Sequence, residues 1–174
     1  MPARQRFALI VLTLAACIGC DQQTKSFAAA QLRGREPKSF LADTVRLDYA
    51  ENTGSFLGLG DSFPVPLRTA LFTYGCTAGV AALLVYLFLA ARSSAVQVAA
   101  LSLICAGGIG NLLDRWICGG YVRDFLNVGI GPIRTGIFNV ADAAMMAGCV
   151  LLLFTARDRG HEQGTISTLT SPKS

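Results

Sequence analysis

The chain has 174 residues, 52% hydrophobic and only 15% charged, and a mean hydropathy of +0.48 is too apolar for a water-soluble α/β enzyme of this size. The net charge of +4 comes from 15 basic and 11 acidic residues scattered without a dense basic stripe, which excludes a nucleic-acid partner. The single histidine, His161, lies in a polar tail, so Ser-His-Asp or Cys-His catalysis and a histidine-based metal site are excluded.

After Arg4 and Arg6, residues 7–20 carry no charge, a length that suits a signal peptide. The helical pattern nevertheless continues through Asp21-Gln22-Gln23-Thr24-Lys25 to Ala30, which predicts one transmembrane helix over 7–31 with a polar outer end. Asp21 and Lys25 are spaced i, i+4 and share a face, either easing the helix into the interface or serving a site. Residues 43–49 alternate Val45, Leu47 and Tyr49 with polar neighbours and predict a strand. A second span, 69–91, has 23 uncharged residues, and at ~1.5 Å per residue it reaches ~35 Å, enough for a bilayer core of ~30 Å. A third runs over 93–113 and ends at Asp114-Arg115. Residues 121–134, with Gly129, Gly131 and Pro132, predict a hairpin or extended loop. The fourth span, 135–156, carries one charge, Asp142. The expected architecture is an all-α integral membrane bundle of four transmembrane helices with a small extracytoplasmic β element. It forms one domain over 1–156 with insertions at about 32–68 and 115–134, and a disordered tail follows over 157–174. Four crossings put both termini on one side, with six Lys and Arg there and nine on the other, so charge does not settle orientation.

Polar groups in apolar spans mark the candidate site. Asp142 and Asn139 are spaced i, i+3 and share a helical face, although a carboxylate at a helix start is also favoured by the macrodipole. Asn111 follows the glycine-rich run Gly107-Gly108-Ile109-Gly110, and a buried amide there needs partners. Asp114 and Arg115 read as a surface ion pair beside tight packing. Asp124, an ordinary loop carboxylate by itself, gains interest if its loop folds back towards Asp142. Two adjacent carboxylates share one proton, so one can act as base on a water while the other acts as acid on a carbonyl, with no histidine, metal or cofactor required. Five of the six cysteines lie in apolar spans as small hydrophobes, Cys17 and Cys20 lack a redox context, and Cys118 is the one expected to be exposed.

Five ordered blocks carry a resemblance: Asp21-Gln22-Gln23-Thr24-Lys25, Asn52-Thr53-Gly54-Ser55-Phe56, residues 107–115, Val122-Arg123-Asp124-Phe125, and Phe138-Asn139-Val140-Ala141-Asp142. Together they resemble lipoprotein signal peptidase (signal peptidase II). The resemblance implies an aspartic endopeptidase of the bacterial inner membrane, with both termini cytoplasmic and its active site near the periplasmic face. Such an enzyme cuts prolipoproteins just before the diacylglyceryl-modified cysteine, works among membrane lipids and is inhibited by globomycin. By motif position it implies Asp124 and Asp142 as the catalytic pair, with Asp21, Lys25, Asn52, Gly54, Asn111, Arg115 and Asn139 supporting the site or holding substrate. It also assigns the strand from Asp43 to a periplasmic cradle. Two departures are Ser55 before Phe56, where many relatives have an alanine pair, and the bulky Arg123 beside Asp124. Three other readings remain on the residues alone. One is a lipid-anchored protein processed at the lipobox Leu14-Ala15-Ala16-Cys17. Another is a small transporter or proton channel using Asp142 and Asp114. The last is a Ser/Lys peptidase built on Lys25 and Ser26, whose adjacency points them to different faces.

Overall fold

The computed structural model describes residues 1–54, 62–89 and 94–169, with side chains through Thr155. Ser55 and Phe56 of the second block, Arg92 between the second and third spans, and the last residues of the tail lie outside the described residues.

Helix α1 covers Ala3–Leu32 and so takes in the charged block at 21–25 as well as Arg4 and Arg6. Its buried positions from Asp21 onward are Lys25, Ala28 and Leu32, a stripe at helical spacing. The second helix, α2, spans Val65–Leu89 and contains one π-helical stretch, Ala70–Gly75. It begins before the expected Thr69 because Pro66 sits in its first turn, where a missing N–H costs nothing. Helix α3, Ala95–Ile117, opens on a capping box in which Ser94 Oγ accepts from Gln97 N and Gln97 Oε1 accepts from Ser94 N. It runs past Leu113 because Asp114 and Arg115 face the interior, and it ends at Gly119 and Gly120, both at positive φ. Helix α4 covers Val140–Leu169, starting five residues after the expected position. Its backbone stays helical into the segment expected to be a disordered tail, where no proline interrupts it.

Helices α1, α2 and α3 are long and apolar enough to cross a membrane, and Val140–Thr155 of α4 forms a shorter apolar helix. Helix α3 is central and packs against the other three. It lies at backbone contact with α4. A Cβ on Gly107 would run into the Ala141 carbonyl, and one on Gly148 would sit 2.5 Å from the Ala100 carbonyl. Small residues therefore set the α3–α4 spacing. Cys118 is half-buried, whereas Cys20, Cys76 and Cys149 are the exposed thiols, because their helix faces turn away from the bundle.

A four-stranded antiparallel sheet, in the order β1-β2-β3-β4, joins β1 (Lys38–Phe40), β2 (Val45–Asn52), β3 (Val122–Ile130) and β4 (Ile133–Arg134). Strand β2 and the hairpin around Gly131-Pro132 follow the sequence pattern, and β1 is an addition to it. The polarity alternation of β2 does not become alternation in burial, since every residue but the exposed Glu51 is half-buried. Leu47 and Tyr49 pack on Ala28, Leu32 and Phe125, while Arg46 on the opposite parity is held by Asp43. The β2–β3 register pairs Ala50 with Asp124 and Asn52 with Val122, with an irregularity between Leu47 and Ala50. The segment after β4 returns to β3, where Leu126 and Phe138 form a two-way backbone bridge at 2.8 Å each way. Thr135 and Phe138 are thus held against β3, which is why α4 starts only at Val140, with Asn139 before its first turn. The bridge delivers Asn139 beside Asp124.

Candidate active site

Four carboxylates lie buried where the sheet meets α1, α3 and α4: Asp21, Asp114, Asp124 and Asp142. Asp124 and Asp142 are joined through two asparagines. Asn139 Nδ2 donates to Asp124 Oδ1 at 2.6 Å and to Asn111 Oδ1 at 3.1 Å, and Asn111 Nδ2 donates to Asp142 Oδ1 at 2.8 Å. The amide orientation of Asn111 follows from its neighbours, because its oxygen also receives Lys25 Nζ at 2.8 Å and must therefore point that way. Asn139 and Asp142 form a reciprocal cap at the start of α4, with Asn139 N donating to Asp142 Oδ2 and Asp142 N donating to Asn139 Oδ1. On the other side of Asp124, Asn52 Nδ2 donates to its Oδ2 at 2.9 Å. Asn52 also accepts from Gly54 N, and the Gly54 carbonyl accepts from Arg115 Nη2 at 2.6 Å.

Lys25 is completely buried and surrounded by acceptors. Its Nζ lies 2.9 Å from Asp21 Oδ2 and 3.4 Å from Asp114 Oδ2, in addition to Asn111. Asp21 also takes the backbone N–H of Ala141 at 2.9 Å, satisfying a donor in the first turn of α4 from a different helix. The i, i+4 pair of α1 thus points inward rather than to the membrane interface.

Every site residue expected from the sequence within the described set is brought into this one network. Three contributors lie outside that expected set. Asp114, read as half of a surface pair with Arg115, is fully buried and bonds Arg123 and Lys25 instead. The reason is geometric, since successive helical residues point in different directions. Arg123 donates to Asp114 Oδ1 at 2.7 Å through Nη2 and to Asp114 Oδ2 at 2.8 Å through its backbone N–H, fixing the peptide just before Asp124. Gln22 donates to Asp21, the Gly110 carbonyl and Asp114, and accepts from Arg123. The available signal for Asp114 was its i, i+3 spacing from Asn111.

The charge balance favours a shared proton. Four buried carboxylates face three cations, Lys25, Arg115 and Arg123, so one proton held between Asp124 and Asp142 leaves the cluster neutral. Asp124 has its carboxyl pushed up to about 6, chiefly by burial and further by the charge of Asp142, against the lowering effect of the Asn52 and Asn139 hydrogen bonds. Arg123 is held firmly protonated by Asp114. Among the described residues no group of three or more His, Cys, Asp or Glu is arranged to hold a metal. The arrangement is able to activate a water with one carboxylate while the other protonates a carbonyl oxygen.

The family model described as Signal peptidase (SPase) II matches residues 13–157. A lipoprotein signal peptidase of Sphingopyxis alaskensis is 35% identical over 162 residues, covering 91% of this chain and 90% of that one. One from Syntrophomonas wolfei is 35% identical over 135 residues, covering 76% and 82%. A solved structure described as a bacterial membrane enzyme superposes with a TM-score of 0.75 at 22% identity, covering 95% of this chain and 93% of that one, which shows a shared fold.

Proposed function

The chain belongs to the signal peptidase II family, and on that premise we propose that Asp124 and Asp142 are the catalytic pair of this aspartic peptidase. Its reaction is removal of the signal peptide from prolipoproteins. The observation that carries the residue assignment is the pair of asparagine amides, Asn139 and Asn111, that link the two carboxylates inside a buried, charge-balanced cluster.

The pair begins with one proton. Its ionised member takes a proton from a water whose oxygen adds to the scissile carbonyl carbon, while the protonated member gives its proton to the carbonyl oxygen. Collapse of the tetrahedral intermediate breaks the C–N bond. The proton taken from water passes to the leaving amine, and the hydroxyl proton returns to the pair, restoring its starting state. Asn52, Asn111 and Asn139 hold the carboxylates in register. Lys25 and Asp21 fix Asn111 and the first turn of α4, and Arg115 holds the Gly54 carbonyl at the end of β2.

The finer reading is that the bond cut lies just before a diacylglyceryl-modified cysteine. Four helices cross the bacterial inner membrane within a single domain over residues 1–156. Both termini are cytoplasmic, the residues after 156 form a cytoplasmic tail, and the site sits near the periplasmic face, where substrate arrives among membrane lipids. Globomycin-type compounds inhibit the enzyme. The position of Asp142 in the first turn of α4 supports this reading, because the end of an apolar helix is where a bond at the membrane surface would be met. Cleavage of a diacylglyceryl-modified prolipoprotein by purified protein, with Asp124→Asn and Asp142→Asn alongside, tests it. Wild type cuts and both folded variants are silent; normal turnover by either variant removes that residue from the pair.

A further inference from the structure

A small polar cavity of about 60 Å³ lies between the first turns of α2 and the end of α3, lined by Thr53, Arg68, Thr69, Thr73 and Arg115 among others. Nothing in the reaction above uses it. Arg115 is 9% exposed and spends two of its nitrogens on protein carbonyls, Nη2 on Gly54 and Nη1 on Asn111 at 3.4 Å. Its Nε–H is buried and has no partner among the described residues, an uncommon state for a charged donor. Arg68 has no ion pair or side-chain hydrogen bond to any described residue. None of the lining side chains among the described residues is acidic.

We propose that this cavity is a binding site for a phosphate-type oxoanion, held between the guanidinium groups of Arg68 and Arg115 with the Thr69 and Thr73 hydroxyls. Planar guanidinium donors match oxoanions better than they match single acceptors. Thr69 and Thr73 are one helical turn apart and present hydroxyls on the same face as the cavity. Size excludes larger occupants. A water needs roughly 10–15 Å³, and drug-sized ligands occupy pockets of about 300 Å³ or more, so the space suits a small anion but neither a peptide nor an acyl chain. The charge fits as well. Arg115 is balanced by the carboxylate cluster, whereas Arg68 adds a cation with no matching acid among the described residues. The α2 span starts here, so a phospholipid headgroup and free phosphate are both plausible sources of the same chemistry.

The test follows thermal unfolding of the purified protein in phosphate-free nonionic detergent, using Trp116 fluorescence. Inorganic phosphate, sodium chloride at matched ionic strength, short-chain phosphatidylglycerol and diacylglycerol of the same chain length are added separately. Tm rises by several degrees with a phosphate-bearing compound and stays flat with chloride and diacylglycerol. A rise with phosphatidylglycerol alone assigns the occupant to a lipid headgroup, and a rise with inorganic phosphate assigns it to the free ion. Arg68→Gln weakens half-saturation by about tenfold or more, and Thr69→Val weakens it to a lesser extent. No rise with either phosphate source, or a rise that both variants keep, overturns the site.

Discussion

Asn139 and Asp142 cap one another across the first turn of α4, so the helix start and the proposed catalytic pair are one construction. The same Asn139 side chain reaches Asp124 at 2.6 Å. Asn139→Ala removes the cap and leaves Asp124 Oδ1 without that donor. The expected result is a stability loss of about 1 kcal/mol and a fall in kcat of about a hundredfold from misplacement of the pair. KM changes little. Steady-state kinetics with a melting curve separate the two effects, and unchanged kcat in the folded variant contradicts the role.

A pair that works with one shared proton loses activity on both sides of its optimum. The alkaline limb of kcat/KM falls near the raised value of Asp124, about 6, with the apparent constant belonging to the pair. Bound substrate excludes water and moves the same limb of kcat upward. A flat profile through the carboxylate range contradicts the mechanism.

Stability carries the same signature with a definite sign. The folded carboxyl of Asp124 is raised, so the native state binds the proton more tightly than the unfolded chain does. Its contribution is fully present below about pH 4 and is lost as pH rises through about 6. Relative to Asp124→Asn, wild type therefore loses on the order of 3 kcal/mol across that window and nothing further above it. Denaturation series for the two proteins at several pH values measure the difference directly.

Asp114 holds Lys25, Arg123 and Gln22 but does not touch the pair. Asp114→Asn leaves two cations under-compensated in a dry site, and a destabilisation of about 3–5 kcal/mol is expected. Folded yield falls more than the specific activity of the folded fraction. Normal expression with no turnover moves Asp114 into the catalytic set.

Gly107→Ala drives a Cβ into the Ala141 carbonyl and the Met145 side chain, one residue from Asp142. It costs about 1–3 kcal/mol and lowers activity. Gly79→Ala, with open space around the new Cβ, is the control and is neutral or slightly stabilising. Equal effects at the two positions contradict close α3–α4 contact as the constraint.

Much of this was legible in the residues. Uncharged runs located the first three helices to within a few residues, because the bilayer imposes length and polarity, whereas α4 starts five residues later than its run and continues to Leu169. Ionisable groups inside those runs marked the site. Long-range pairing was not legible: Asp124 meets Asn139 because Phe138 bridges Leu126, and no local pattern encodes that bridge. Strand β1 escaped notice because three exposed residues hardly form a pattern. Arg123, a departure from the pattern of the family it resembles, makes sense only once Asp114 is seen beneath its peptide.

The Asp21–Lys25 pair has a consequence for how the protein is made. Asn111, Asp114 and the Ala141 N–H, which complete the surroundings of Asp21 and Lys25, are encoded roughly ninety to a hundred and twenty residues later, on the order of five to twenty seconds of translation. During that interval α1 stands in the membrane without its neighbours. Because its acid and base sit one turn apart on the same helix, they neutralise each other from the moment of insertion, and the stretch of α1 after Arg6 waits as a net-uncharged span until α3 and α4 arrive.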